Sequence, residues 1–251
     1  MARRLAYHLY QGYWSALDWL FPPNCGGCGR QGARWCSNCH AQAEVIRTPV
    51  CSCCGQCQDT VGLCSRCRHS PPVYTALRSW AIFDGTVRNA LHKLKYQRDV
   101  SLGEALARYL LECLLDLGWD VDTVVPVPLG LARLAERGYN QSALLARPLA
   151  MAYRTRYSPR ALCRARETHS QVGLTAVQRR ENVSGAFKAH RDLVAGRTIL
   201  VVDDVATSGA TLDACASALF EAGARQVYAL TVARAILKLQ TTGQTAREGQ
   251  A

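Results

Sequence analysis

From Thr75 onward the chain moves between two hydrophobic rhythms. Leu77 to Phe83 reads as a strand closed by Asp84-Gly85. Thr86 to Tyr96 places apolar residues at helical spacing, at Val87, Ala90, Leu91 and Leu94, and Leu102 to Leu117 does so more strongly. Thr123 to Pro128 and Thr198 to Val202 are short, nearly continuous apolar runs, the pattern of buried strands. Asn140 to Tyr153 predicts a helix, Ala210 to Ala222 another capped by Gly223, and Gln226 to Ala233 the next strand. Strand–helix–strand order implies right-handed crossovers and a parallel sheet. Residues 75–236 therefore read as one α/β domain with a parallel sheet flanked by helices. The polar, Gly/Gln-rich segment 237–251 is expected to be disordered.

The N-terminal segment 1–24 has its own rhythm. Tyr7, Leu9, Tyr10, Trp14, Leu17, Trp19, Leu20 and Phe21 are spaced like one face of a helix that ends at Pro22-Pro23. Such a helix packs on the body, or else docks on a membrane surface or a partner. Arg3 and Arg4 precede it, but a continuous apolar core and a small-residue cleavage site are missing, so it does not read as a signal peptide. No apolar run reaches the roughly 18–20 residues of a membrane span, and the expected location is cytoplasmic.

Composition changes this picture between residues 25 and 70. Ten of the 13 cysteines lie between Cys25 and Cys67. Cys25-x2-Cys28 with Cys36-x2-Cys39 forms one set, and Cys51-x2-Cys54 with Cys64-x2-Cys67 forms a second. Paired thiolate knuckles of this spacing suit tetrahedral zinc, and their repetition strengthens the signal. Disulfides and an iron–sulfur cluster are the competing readings, and a reducing cytosol argues against the first. Cys53 and Cys57 are surplus, and each could replace a neighbour as ligand. His40 and His69 read as surface residues, and Cys113, Cys163 and Cys215 as small core residues. A segment this short needs a staple, so two structural Zn²⁺ ions are expected. Pro71-Pro72 marks the linker to the α/β domain.

Charge adds a preference for phosphates. The formal net charge is +11. Between positions 130 and 191 stand twelve Arg and Lys against three acidic residues. Such a field attracts nucleotides, phosphosugars or nucleic acid. Each four-cysteine zinc site carries −2, which lowers the loaded protein's charge to about +7 and weakens the case for nucleic acid.

The most informative segment is Val201-Val202-Asp203-Asp204-Val205-Ala206-Thr207-Ser208-Gly209-Ala210-Thr211. An apolar strand brings two carboxylates to its carboxyl end, where open α/β sheets bind ligands. Small and hydroxyl residues follow at a helix start, where unpaired N–H groups and the helix dipole form a phosphate cradle. The carboxylates would repel phosphate and suit ribose hydroxyls or water on Mg²⁺. Carboxylates beside a cradle point to a phosphorylated sugar. A plain strand-to-helix turn explains one Asp and one Ser, but not the whole run. No Gly-Lys-Ser/Thr follows, so this is not a Walker loop.

The segment resembles the 5-phosphoribosyl 1-pyrophosphate (PRPP) motif of type I phosphoribosyltransferases. Val125-Pro126-Val127-Pro128-Leu129, Arg137-Gly138-Tyr139-Asn140-Gln141, the run Arg164 to Gln171, Arg179-Arg180-Glu181-Asn182, Ala186-Phe187 and the doubled cysteine sets together resemble the ComF family of competence-related phosphoribosyltransferase-like proteins. The resemblance implies a type I phosphoribosyltransferase-like fold behind a small double zinc ribbon. It implies that Asp203 and Asp204 hold the ribose hydroxyls and form the catalytic pair. Ala206, Thr207, Ser208, Gly209, Ala210 and Thr211 would take the 5-phosphate. The turn after Val127-Pro128, with Arg133 and Arg137, would take pyrophosphate with Mg²⁺. Arg164, Arg166 and the loop to Gln171 would close over the ligand, and Lys95 would approach it. Thr207 stands where purine-salvage members carry an acidic base, which argues against ordinary purine salvage and leaves the second substrate open.

Two functions from different classes follow. One is Mg²⁺-dependent phosphoribosyl transfer in natural competence and the use of external DNA. The other is a non-catalytic protein whose zinc module and basic face engage single-stranded DNA or a competence partner. Trp35 is the only Phe, Tyr or Trp between Cys25 and Cys67, which is few for a base-stacking platform.

Overall fold

The computed structural model describes residues 2–166 and 176–236. The expected closing loop beyond Arg166 and the expected disordered tail therefore lie outside the described residues. A long helix α1 (Ala2–Leu20) leads into two cysteine modules, each carrying one short helix, α2 (Ser37–Ala41) and α3 (Ser65–His69). The α/β domain begins with β1 (Ala76–Ile82), α4 (Gly85–Tyr96), α5 (Ser101–Leu117) and β2 (Thr123–Pro126). It continues through α6 (Leu131–Arg137), α7 (Gln141–Tyr153) and β3 (Arg156–Tyr157). A small hood follows, with β4 (Leu162–Arg164), α8 (Ala176–Val183), β5 (Phe187–Ala189) and α9 (Arg191–Val194). The chain then returns as β6 (Thr198–Ala206), α10 (Ala210–Glu221) and β7 (Gln226–Arg234).

The main sheet has the order β1-β7-β6-β2-β3, and its pairings are parallel. Its strands are buried on both faces, which explains their unbroken apolar runs. Val124, Leu200, Val202, Leu230 and Val232 pack toward α4, α5 and α7. Val125, Ile199, Val201, Val227 and Ala229 pack toward α10 and the hood. From β2 the chain moves outward to β3 by way of α7. From β6 it moves the other way to β7 by way of α10. The order thus reverses between β2 and β6, and a crevice opens beyond their carboxyl ends.

β6 runs to Ala206, four residues further than the apolar run suggested, so both aspartates lie within the strand. The turn expected after Pro128 contains α6, which carries Arg133 and Arg137. The hood was not anticipated as structure. Its antiparallel β4–β5 pair leaves alternate residues facing out, and Cys163 is exposed rather than in the core, while Cys113 is half-buried and Cys215 is buried.

The cysteine modules are fused to this body. The edge strand β1 is covered by residues 44–53: Ile82 N–H donates to Glu44 O (2.8 Å), Ile46 N–H to Trp80 O (2.9 Å) and Leu77 N–H to Cys53 O (2.8 Å). That satisfies backbone groups an open edge would expose. The first module sits on α4. Thr86 Oγ1 donates to Cys39 O (3.0 Å), Asn89 Nδ2 to Gly27 O (3.2 Å) and Lys93 Nζ to Cys25 O (3.0 Å). α1 packs on α7 and is pinned by buried Arg34, which pairs with Asp18 at 2.7 Å and lies over the Trp14 ring. Trp19 and Phe21 at its end remain exposed. His40 joins neither cysteine set, as expected, but it is only partly exposed. It stacks on Tyr109 (4.8 Å between ring centres), in a layer that also holds Trp80.

Candidate phosphoribosyl site and cysteine centres

A cavity of about 570 Å³ fills the crevice beyond β2 and β6. β6 supplies Asp203, Asp204 and Ala206, the β6–α10 turn supplies Thr207 and Gly209, and the start of α10 supplies Ala210 and Thr211. Lys95 enters from the last turn of α4, Arg133 and Arg137 from α6, and Arg164 from β4. The structure thus gathers most of the residues singled out in the sequence around one space. Two stand apart. Ser208 does not line the cavity. Arg166 is directed onto the Asn182 and Ser184 carbonyls, at 3.1 and 2.9 Å.

The acidic pair is differentiated by its neighbours. Asp204, buried, forms an ion pair with Lys95 Nζ. Burial, the largest single effect, pushes the Lys95 ammonium down, but the charge and hydrogen bond of Asp204, together with the charge of nearby Asp203, outweigh it and the net shift is upward. Asp203 Oδ1 accepts from Ser142 Oγ (2.7 Å) and from the Asp204 N–H (2.9 Å). Burial and the adjacent Asp204 charge raise Asp203 to about 7, despite those hydrogen bonds. Ser142 is itself placed by Asn140, whose side chain accepts from Ser142 N–H (3.0 Å) and donates to Val127 O (2.9 Å). Asn140 thus caps α7 and ties it to the chain leaving β2. Ser142 had no local signal, whereas Asn140 before an apolar helix is a readable N-cap.

The loop after β6 is built as a cradle. Gly209 is left-handed (φ 81°), and a Cβ there would stand 3.1 Å from the Tyr74 hydroxyl. Both facts favour glycine. The α10 helix opens at Ala210, with Ser208 Oγ accepting from Ala210 N–H at 3.4 Å. Across the cavity Arg137 donates to Gln141 Oε1 (2.6 Å) and lies 5.3 Å from the Tyr96 ring centre. Arg164 lies over Phe187. The cavity therefore has a carboxylate floor, a helix N-terminus at one end and arginines opposite.

Each cysteine module gathers four thiols, Cys25, Cys28, Cys36 and Cys39 in one and Cys51, Cys54, Cys64 and Cys67 in the other. Their sulfurs approach to 3.5, 3.6, 3.7 and 3.8 Å in the closest pairs. Zinc–sulfur bonds near 2.3 Å set tetrahedral sulfur–sulfur edges of about 3.8 Å, so both sets fit Zn²⁺. Cys53 is half-buried beside the second set and Cys57 is exposed, and neither joins it. His69 bonds Ser65 O through Nδ1 and joins no metal set.

Fold, acidic strand end and loop define a protein of the phosphoribosyltransferase class. A model of the phosphoribosyl transferase domain matches residues 96–244, and a double zinc ribbon domain matches residues 16–68. The chain belongs to the ComF family of competence-related proteins that join these two parts. The DNA utilization protein YhgH of Escherichia coli O6:H1 is 33% identical over 207 residues, 80% of this chain and 90% of that protein. Competence protein F of Haemophilus influenzae is 27% identical over 80% of this chain and 90% of its own length. Competence protein ComFC of Bacillus subtilis is 27% identical over 79% of this chain and 83% of its own. A crystal structure of adenine phosphoribosyltransferase overlaps 56% of this chain and 73% of its own, with a TM-score of 0.38 and 16% identity. No helix among the described residues is long and apolar enough to cross a membrane.

Proposed function

We propose that the chain binds PRPP with Mg²⁺ and acts in the use of external DNA in natural competence, in a reducing, cytoplasmic compartment. The observation that carries this reading is the convergence of Asp203, Asp204, Lys95 and the 206–211 loop on one cavity. The loop N–H groups and the α10 N-terminus suit a 5-phosphate. The carboxylates suit the ribose hydroxyls. Arg133 and Arg137 suit pyrophosphate, whose oxygens match guanidinium forks. Two carboxylates face one ammonium, and such an oxygen pair fits Mg²⁺, which would neutralise charge on the pyrophosphate. On ligand entry Lys95 is positioned to keep its ion pair with Asp204 or to exchange it for a ligand oxygen. Thr207 supplies no general base, so a second substrate would have to carry a nucleophile that attacks without one.

A second reading, binding of single-stranded DNA, is favoured by a separate groove of about 510 Å³ at the opposite end of the sheet. Arg154, Arg156, Arg197 and Arg225 line it. One pair of titrations separates the readings. PRPP with Mg²⁺ is expected to bind the zinc-loaded protein saturably, and Asp203→Ala/Asp204→Ala to abolish this. If the folded wild type does not bind, the phosphoribosyl reading fails. An oligonucleotide held by the arginine groove is expected to lose affinity steeply with salt, and salt-independent binding refutes that contact.

A further inference from the structure

The second cysteine module reaches the ligand loop through one side chain. Arg66 lies on α3, between Cys64 and Cys67, and its Nη1 donates to the Ser208 carbonyl at 2.8 Å. The two residues are 142 positions apart in the chain. Arg66 is half-buried and is not among the residues lining the cavity. It therefore holds the loop from outside. The Ser208–Gly209 peptide is trans, because Thr48–Pro49 alone is cis among the described residues. In a planar trans peptide the C=O and the following N–H point in opposite directions. Fixing the Ser208 carbonyl on Arg66 turns the Gly209 N–H away from the module, and Gly209 does line the cavity. The left-handed Gly209 could flip this peptide at little cost, so an external clamp has something to prevent. Two further contacts from the linker side hold the first turn of α10 and the loop before it. Val73 N–H donates to Asp213 Oδ1 at 2.5 Å, and the Tyr74 ring backs Gly209.

We infer that Arg66 is a positioning residue for the phosphate cradle, by which the second cysteine module sets the orientation of the Ser208–Gly209 peptide and thereby the affinity for a 5-phosphate. This deepens the phosphoribosyl reading and rests on it. The consequence is selective. Ligands with a 5-phosphate depend on Arg66, whereas inorganic pyrophosphate, placed at the arginines of α6, does not.

The test titrates the full-length, zinc-loaded chain with PRPP, ribose 5-phosphate and pyrophosphate, each with Mg²⁺. In Arg66→Met both 5-phosphate ligands are expected to weaken by about tenfold, with pyrophosphate unchanged. Arg66→Lys, which keeps a donor, should recover part of the loss. Zinc content and melting temperature are measured alongside. In the unliganded protein, hydrogen exchange in a peptide spanning 206–212 should quicken in Arg66→Met, without quickening in peptides of the cysteine module. Wild-type binding of PRPP with an unaltered constant in Arg66→Met overturns the inference. So does an equal loss for all three ligands, which marks general damage. If Arg66→Met loses zinc, Arg66→Lys decides: unaltered 5-phosphate affinity and unaltered loop exchange overturn the inference. No PRPP binding by the wild type removes the underlying reading, and this inference with it.

Discussion

Asp203 is the residue where fold and chemistry conflict most. It lies buried on β6, one position from a second carboxylate, and its upward shift to about 7 means that the unliganded protein binds a proton there in mildly acidic solution. An unfolded chain releases that proton at the usual carboxylate value. Because the folded form holds more protons between these two values, stability of the unliganded protein falls as pH rises from about 4 to about 7. On the proposed phosphoribosyl reading, ligand binding runs the other way, since ribose hydroxyls and a hydrated cation need the ionised form. PRPP affinity is therefore expected to rise as pH climbs toward 7 and then level off. Calorimetry at pH 6 in buffers of different ionisation enthalpy should show about one proton released per ligand bound. Asp203→Asn should bind weakly with the release reduced. An identical release in the variant would assign the proton to the ligand or to another group.

At the scale of elements, the site depends on how closely α7 approaches α5. Gly103 on α5 is the point of contact, where a Cβ would stand 2.7 Å from Leu144 Cβ and 2.8 Å from its carbonyl oxygen. The clash involves backbone of α7, which also carries Ser142 to Asp203. Gly103→Ala is therefore expected to destabilise by about 1–3 kcal/mol, although alanine is the better helix former. Gly12→Ala on α1, where nothing lies within 4 Å, should instead be neutral or stabilising by up to about 1 kcal/mol in the same urea titration. These elements also mark what the chain revealed in advance. β1, β2, β6 and β7 were legible as short, nearly continuous apolar runs, and α4, α5, α7 and α10 because each buries an apolar face at helical spacing. α6 was missed because it is only about two turns long, carries two arginines and buries no side chain. β3 and the hood strands β4 and β5 are two or three residues long, too short for any period to show. Asp203, Asp204 and the loop were legible because their chemistry is contiguous. The Ser142 and Arg66 contacts were not, since each joins residues far apart in sequence and only the folded topology brings them together.

For the molecule as a whole, the two cysteine modules are bonded to the elements that line the candidate site rather than hanging free as appendages. The first grips α4, which carries Lys95, and the second covers β1 and clamps the 206–211 loop. The second is also electrically matched to the body. Four thiolates around a divalent ion carry −2. Arg66, Arg78 and Arg234 act on these thiols, and Arg234 is almost fully buried, its Nε donating to Gln56 Oε1 at 3.2 Å. Removing zinc and protonating the thiols deletes that negative charge and leaves the Arg234 guanidinium buried without compensation, a situation that costs about 3–5 kcal/mol. Zinc loss should thus unfold more than the modules. A strong zinc chelator is expected to lower the main melting transition of the whole chain by about 10 °C. Cys54→Ser, beside Arg234, should reproduce most of that drop. Cys28→Ser, in the exposed corner of the first module, should produce less of it. If chelation melts only a small separate transition and leaves the main one in place, the modules are independent of the body, and the electrostatic coupling through Arg234 is wrong.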